Sequence, residues 1–327
     1  MTGLSDSFQR PIDYLRLSVT DRCNLRCVYC MPSQGVPLLP RADLLSYEEI
    51  VLILRAAAEL GITKVRITGG EPLVRLGLPD LIAMIAAIKT IDDISMTTNG
   101  TLLARYAAEL KAAGLRRVNV SLDTLKPDKF ERITRGNYLS DVLNGIEAAR
   151  SAGLNPVKLN MVVMAGVNDD ELVDFAARTI DNEWHVRFIE LMPVAGNGGN
   201  HAQFIPVNEM RQRIEVLGAL EPCRPGVGNG PAKYFRLPQA RGTIGFITPV
   251  SEHFCFHCNR LRLTSDGKLR PCLMSENEID LKPHLRRAIS VEELKGLIEK
   301  AVALKPLQHH LGEGYLPHGR PFSQVGG

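Results

Sequence analysis

From Asp13 onward, short apolar-rich runs alternate with longer segments whose apolar residues recur every three to four positions. A short run with period two predicts a strand, and the longer period predicts one buried face of a helix. Asp13–Thr20 sets Tyr14, Leu15, Leu17 and Val19 among polar neighbours and predicts the first strand. Ser46 opens the helix SYEEIVLILRAAAELG, where Glu49 completes a capping box and Gly61 ends the segment. The run KVRIT follows and stops at Gly69-Gly70; a helix spans about Asp80 to Lys89; DISMTTNG is the next strand. Helix Leu102–Ala113 ends at Gly114 and leads to RRVNVSLD. A helix around Asp141–Ser151 leads to VKLNMVVM, and helix Asp170–Asp181 leads to WHVRFIELM.

The predicted strands therefore fall near residues 13, 63, 93, 116, 157 and 184. Strand–helix alternation implies a parallel sheet joined by right-handed crossovers. Six strands instead of eight leave an incomplete barrel or a curved doubly wound sheet. The chemical motifs described below all follow strand ends, where parallel barrels carry their sites. The expected fold is α/β, an incomplete (βα)6 TIM-like barrel. After Met192 the pattern breaks: Gly and Asn gather at AGNGGNHAQ and RPGVGNGP, with short strands at KYFRL and TIGFIT and one helix near Val291–Leu304. Residues 1–192 are expected to form the barrel, and residues 193–327 an appended region closing over it.

Composition narrows the class. The 327 residues are 45% hydrophobic and 23% charged, enough apolar content for a large buried core. A net charge of +3 with 6% aromatics argues against a nucleic-acid surface while allowing a local anion pocket. No apolar stretch reaches membrane-spanning length and no secretory leader is evident at the start, so a cytoplasmic protein is expected. Seven cysteines with no expected pairing suit a reducing compartment.

The cysteines carry the sharpest signal. Cys23, Cys27 and Cys30 form C-x3-C-x2-C within RLSVTDRCNLRCVYCM, directly after the first strand. Three thiolates in eight residues select a soft metal, and a cubane iron–sulfur cluster held by three leaves one iron open. A structural zinc ion takes four ligands, and the first histidine is as distant as His185. On spacing alone a zinc knot or inert thiols stay open. Cys255, Cys258 and Cys272 form a second triad, C-x2-C-x13-C, with His253 and His257 beside it, so a Cys3His zinc site competes there. Thr68-Gly69-Gly70-Glu71-Pro72 follows a strand, and its glycines, peptide groups and carboxylate suit close approach to an ammonium ligand. Taken alone, it is a turn. Cys223 fits neither triad and reads as an inert thiol.

The first triad, with Tyr29 before its last cysteine, resembles the motif of radical S-adenosylmethionine (SAM) enzymes. That resemblance implies a [4Fe-4S] cluster on Cys23, Cys27 and Cys30 whose open iron chelates SAM. It also implies SAM contacts from Tyr29, Gly70, Ser121 and Met192. The second triad, embedded in CNRLR, resembles that of the GTP 3′,8-cyclase family of molybdenum-cofactor biosynthesis, and the likeness runs from Arg16 to the terminal Gly326-Gly327. It implies a second [4Fe-4S] cluster on Cys255, Cys258 and Cys272 that holds guanine. It implies GTP contacts from Arg16, Arg66, Thr97, Lys158, Arg260, Leu261 and Arg262, with Arg260 and Arg262 also catalytic, and a GG tail that enters the site. Lys64 and Arg187 are weaker candidates for the same ligand. Arginine suits a triphosphate because its fork binds such groups bidentately.

The implied chemistry is reductive cleavage of SAM, removal of the ribose 3′ hydrogen of GTP and closure of C3′ onto guanine C8. The implied partners are GTP, a reductant such as flavodoxin or ferredoxin, and a downstream cyclic pyranopterin monophosphate synthase, with the enzyme a monomer or homodimer. The competing readings are a radical SAM peptide maturase with an auxiliary cluster, a two-cluster electron carrier and a zinc-binding nucleic-acid module.

Overall fold

The computed structural model describes all residues except 1–2, 194–202, 225, 288, 312–319, 321 and 327. Six parallel strands form the centre: β1 (Tyr14–Ser18), β2 (Lys64–Thr68), β3 (Asp93–Thr98), β4 (Arg117–Ser121), β5 (Lys158–Val163) and β6 (His185–Glu190). The crossovers carry α1 (Tyr47–Glu59), α2 (Leu78–Ala86), α3 (Leu103–Ala112), α4 (Pro127–Thr134), α5 (Leu139–Ser151) and α6 (Leu172–Asp181). The α1 start is the capping box expected from Ser46 and Glu49, each side chain bonding the other's backbone N–H. Helix α4 has no counterpart among the expected elements. Its eight residues are mostly polar, and Phe130, Ile133 and Thr134 are too few to show a period.

Beyond Met192 come α7 (Val207–Ile214), β7 (Glu221–Cys223), β8 (Lys233–Arg236), β9 (Thr243–Ile247), β10 (Arg260–Leu263), β11 (Lys268–Arg270), β12 (Ile279–Asp280), α8 (Lys282–Leu285), α9 (Val291–Ala303) and α10 (Phe322–Val325). This region extends the barrel sheet instead of only covering it. The strand order is β12-β11-β10-β1-β2-β3-β4-β5-β6-β9-β8-β7. Strand β9 runs parallel to β6 and β10 runs parallel to β1, so both edges of the six-stranded core are paired. The strands at KYFRL and TIGFIT stand where expected as β8 and β9. Strand β10, Arg-Leu-Arg-Leu, was legible only as a basic motif. Four alternating residues make a strand only once an edge such as β1 is offered to them.

Side-chain parity sorts the sheet into two faces. Leu15, Leu17, Val65, Ile67, Val118, Val120, Leu159, Met161, Val186, Phe188, Leu261 and Leu263 pack in the apolar core between strands and helices. Their neighbours Arg16, Arg66, Thr97, Ser121, Asn160, Arg187, Arg260 and Arg262 line the interior. A complete parallel barrel fills its interior with branched aliphatics; here the interior is polar and open. Among the described residues, no helix is long and apolar enough to cross a membrane.

Glu190, at the end of β6, ties the two parts of the chain together. Its buried carboxylate accepts from Val207 N at 3.1 Å, Val250 N at 3.0 Å, Ser251 N at 3.0 Å and the Ser251 hydroxyl. Glu190→Ala strands three backbone N–H groups and is expected to cost about 3 kcal/mol. Urea unfolding of parent and variant checks this, and a loss below about 1 kcal/mol would refute the tie.

Candidate active site

The loop from Cys23 to Cys30 is built by its neighbours. Arg26 N and Val28 N donate to the Thr134 and Ile133 carbonyls at the end of α4, at 3.0 and 2.9 Å. Arg135, at a left-handed φ of 58°, donates to the Arg26 and Met31 carbonyls. Cys30 N bonds the Cys27 carbonyl at 2.9 Å and turns the last two thiols toward one another. Burial pushes the Cys23 thiol up to about 11 and Cys27 further, with Asp123, Cys30 and Cys23 adding to the rise at Cys27. Leu25 N donates to Cys23 Sγ at 3.4 Å. Three half-buried thiols, with Cys23 and Cys30 acting on Cys27 and no cation among the causes acting on Cys23 or Cys27, suit a metal cluster that deprotonates them and supplies the missing positive charge.

The two glycines after β2 serve this loop. A Cβ on Gly70 would lie 2.3 Å from the Arg22 carbonyl oxygen, and one on Gly69 would lie 2.7 Å from that of Thr20. Gly70 N and Glu71 N donate to those same two carbonyls at 2.7 and 2.8 Å. The close approach expected toward a ligand is thus also an approach of one backbone to another. Glu71 corrects the sequence reading further. Its fully buried carboxylate accepts from Leu73 N, Thr98 Oγ1 and Asn99 N at 3.0, 2.7 and 2.6 Å. It is spent on joining the loops after β2 and β3, which leaves peptide groups for an ammonium ligand. Burial still pushes this carboxyl up to about 7 against its three donors.

Two cavities meet beside the cysteine loop. One of about 150 Å³ is lined by Cys23, Cys27, Cys30, Tyr29, Gly69, Gly70, Thr97 and Ser121. The second, of about 250 Å³, fills the barrel and shares Tyr29, Cys30, Thr97 and Ser121 with the first. Arg16, Arg66, Arg187, Met192, Arg260 and Arg262 line it, and Phe254 and Leu273, neighbours of the second triad, stand on its wall. The first triad and the residues beside the second therefore line adjoining cavities that share four wall residues. A larger groove of about 580 Å³ lies near α4, but its Lys129, Asp169 and Asp170 already pair with Asp170, Arg213 and Lys129 respectively. Those charges are not free for a ligand.

The barrel cavity is cationic without compensating carboxylates. Arg66, Arg187, Arg260 and Arg262 make no ion pair among the described residues. Arg66 Nε bonds Ser95 Oγ at 3.2 Å and its guanidinium lies 5.5 Å from the Tyr14 ring. Arg187 Nε and Nη2, Tyr14 OH and Asn160 Oδ1 are buried with no hydrogen-bond partner. Burial, then Arg262, Arg66 and Arg260 nearby, holds Arg16 well below its ordinary value. Burial and Arg260 bring Arg262 down to about 10. The two carboxylates on the wall are occupied: Glu190 as described, and Asp123 by Tyr29 OH at 2.8 Å and Val162 N at 2.8 Å. Unpartnered guanidinium N–H groups and mutually repelling cations in one chamber define an anion site.

Not every expected residue faces this chamber. Leu261 lies in the apolar core, so only its peptide group can face a ligand. Lys158 donates to the Val227 carbonyl at 2.8 Å and sits against the Tyr234 ring; burial and Arg187 bring its amine down to about 7. Lys64 is paired with Asp13 at 2.5 Å. Gly327 lies outside the described residues, but the Gly326 carbonyl accepts from Arg262 Nη1 at 2.7 Å. A Cβ at Gly326 would meet Thr68 Oγ1 at 2.3 Å. The tail thus reaches the ends of β1 and β2. Tyr14, Asn160 and Asp123 were missed, although each lies two residues from a residue already singled out or across the ladder from one.

At the second triad, burial pushes the Cys255 thiol up, and the Cys272 and Cys258 thiols act on it. Cys258 differs: burial raises it, but Arg260 and Lys305 overcome this and bring it down to about 6. Arg260 Nη2 lies 3.6 Å from Cys258 Sγ, and Met274 N donates to Cys272 Sγ at 3.4 Å. This set also fits a thiolate-bound cluster. Cys223 stands apart on β7.

A partial parallel barrel with buried thiols on the loop after its first strand is the architecture of radical SAM proteins. Residues 17–178 match the Radical SAM superfamily, and residues 184–311 match Molybdenum Cofactor Synthesis C. The fold is similar to that of Streptococcus suis SuiB (TM-score 0.63, 14% identity, covering 83% of this chain and 64% of that one). It is also similar to anSMEcpe with bound AdoMet (TM-score 0.58, 14% identity, 89% and 80%). In sequence the chain is 53% identical to the GTP 3′,8-cyclase of Pelotomaculum thermopropionicum over 99% of its own length and 100% of the relative's. It is 53% identical to that of Heliobacterium modesticaldum, covering 98% and 99%. The chain belongs to the GTP 3′,8-cyclase family.

Two outcomes follow from the loop geometry. Gly70→Ala must displace the Arg22 peptide, and about 2 kcal/mol of stability and most of the iron held by the first triad are expected to go with it. Thermal unfolding and an iron count on reconstituted protein measure both. For Glu71 the native pKa is raised, so its stabilising contribution is complete below about pH 4.5 and lost as the pH climbs past about 7. Glu71→Gln is expected to remove that slope from the urea-unfolding free energy. Parallel curves for parent and variant would show a carboxylate ionised throughout.

Proposed function

We propose that this enzyme converts GTP to 3′,8-cyclo-7,8-dihydro-GTP, with SAM at the first triad and guanine at the second. The observation that carries this is the cationic barrel cavity, which adjoins the thiols of the first triad at one side and the sequence neighbours of the second, Phe254, Arg260 and Leu273, at the other. Its charge suits a triphosphate, and its two ends suit two different ligands. Residues 1–192 serve as the radical SAM barrel, and residues 193–327 carry the second triad and the tail. A [4Fe-4S] cluster on Cys23, Cys27 and Cys30 would supply the electron for reductive cleavage of SAM, the source of the radical chemistry that removes the ribose 3′ hydrogen and joins C3′ to guanine C8.

The chain's own residues place the reactants and exclude water. Cys23, Cys27 and Cys30 hold the first cluster; Gly70, Ser121 and Met192 line the SAM position, and Tyr29, fixed by Asp123, closes it. Arg66 and Arg187 offer N–H groups from neighbouring walls, which suits the triphosphate, with Thr97 beside them and Lys158 behind. Arg16, Arg260 and Arg262 lie toward the second triad, where the Gly326 carbonyl holds Arg262. Cys255, Cys258 and Cys272 hold the second cluster, with guanine on its open iron. Two electrons must come from outside, one for the cleavage of SAM and one, with a proton, for the radical left when C3′ closes on C8; a flavodoxin or ferredoxin in the cytoplasm is suited to supply them, and a separate synthase takes up the product.

The peptide-maturase alternative is supported only by fold likeness at 14% identity, against 53% identity to the cyclases over 99% of the chain. Anaerobic reconstitution, an iron and sulfide count, and incubation with SAM and GTP or peptide test the assignment. The expected result is two cubanes per chain and a cyclised nucleotide detected by mass spectrometry. Cys255→Ala, Cys258→Ala and Cys272→Ala are each expected to abolish cyclisation and leave the circular dichroism unchanged. Arg187→Ala is expected to raise the GTP KM at least tenfold, the loss of one charge-assisted contact. Wild-type turnover by the variant lacking all three second-triad thiols would refute the role given to that triad.

A further inference from the structure

The second triad is held from behind by two buried cations that the proposed chemistry does not use. Lys305 lies two residues past the end of α9, is only 4% exposed, and donates to the Arg260 and Pro271 carbonyls, each at 2.7 Å. Arg260 lies two residues after Cys258, and Pro271 directly precedes Cys272. One ammonium group thus bonds the backbone beside both thiols, at the open end of the antiparallel β10–β11 pair. Arg10, 6% exposed, anchors the same corner: it donates to the Cys255 carbonyl and the Leu307 carbonyl at 2.7 Å, and to the Pro306 carbonyl at 2.7 Å. Asp6 neutralises Arg10 at 2.6 Å. Lys305 makes no ion pair with a carboxylate among the described residues, and the negative groups that act on it are the Cys258 and Cys272 sulfurs.

A buried ammonium group without a carboxylate is costly unless another anion stands beside it. Three thiolates around an iron–sulfur core carry a net negative charge that grows on reduction, and local charge sets the potential of such a centre. The reach of Lys305 and the absence of another counter-ion fit that anion.

We propose that Lys305 is a positioning residue for the second triad: it holds the backbone beside Cys258 and Cys272 at the end of the β10–β11 pair and supplies the counter-charge of the cluster they hold. The proposal rests on the second triad holding a cluster. It is tested in the full chain carrying Cys23→Ala, Cys27→Ala and Cys30→Ala, so that bound iron reports the second triad alone. After anaerobic reconstitution, iron and sulfide are counted and the midpoint potential is measured by redox titration. Lys305→Met is expected to lower bound iron at least threefold. Lys305→Gln, which keeps a donor and the volume but not the charge, is expected to retain iron at a more negative midpoint potential. A merely structural lysine would not move the potential, and circular dichroism identifies a misfolded variant; if Lys305→Met misfolds, Lys305→Gln decides. Unchanged potential in Lys305→Gln would overturn the proposal. Absence of iron from the parent carrying only the second triad would instead overturn the two-cluster reading, and the proposal with it.

Discussion

The structure depends on an electrostatic imbalance inside the barrel. Guanidinium groups of Arg16, Arg66, Arg187, Arg260 and Arg262 face one buried space, while its carboxylates, Asp123 and Glu190, are consumed by local bonds. Desolvated like charges raise the free energy of the empty fold, and the wider apolar core must offset this. A polyanion in the cavity removes the repulsion. Anion binding and stability are therefore coupled at this site.

The surrounding architecture makes that imbalance possible. A sheet that stopped at β1 and β6 would expose two edges and open the chamber to solvent. Strands β10 and β9 pair with those edges, and β10 delivers Arg260 and Arg262 to the interior while Leu261 and Leu263 enter the core. One four-residue strand thus serves the core, the edge and the site together. Glu190 locks the other edge through the backbone of residues 207, 250 and 251.

The two triads have different surroundings. The first is buried against Glu71 and Asp123, and its thiols are pushed up until a metal replaces their protons. At the second, Arg260 and Lys305 already hold Cys258 down near 6. Neighbouring cations favour an electron-rich centre and neighbouring carboxylates disfavour one. The surroundings therefore suit a cluster at the first triad to give up an electron, and they suit the second triad to negative charge.

Much of this was legible along the chain because local rules carry it. The capping box at Ser46, the period-two runs and the two cysteine spacings need only near neighbours, and they were enough to predict the βα repeat and the thiols of both triads. Period-two parity also places Arg16 and Arg66 on one face without any structure. Tertiary contacts decided the rest. Glu71 spends its carboxylate on Thr98 and Asn99, Lys158 turns to Val227, and Lys305 reaches segments that lie 45 and 34 residues away. The sequence by itself determined the six βα units of the barrel and the spacing of the two cysteine triads, since backbone preference and motif spacing are local. Which side chains remain free for a ligand was decided only in three dimensions, because a partner distant in sequence can satisfy a buried polar group.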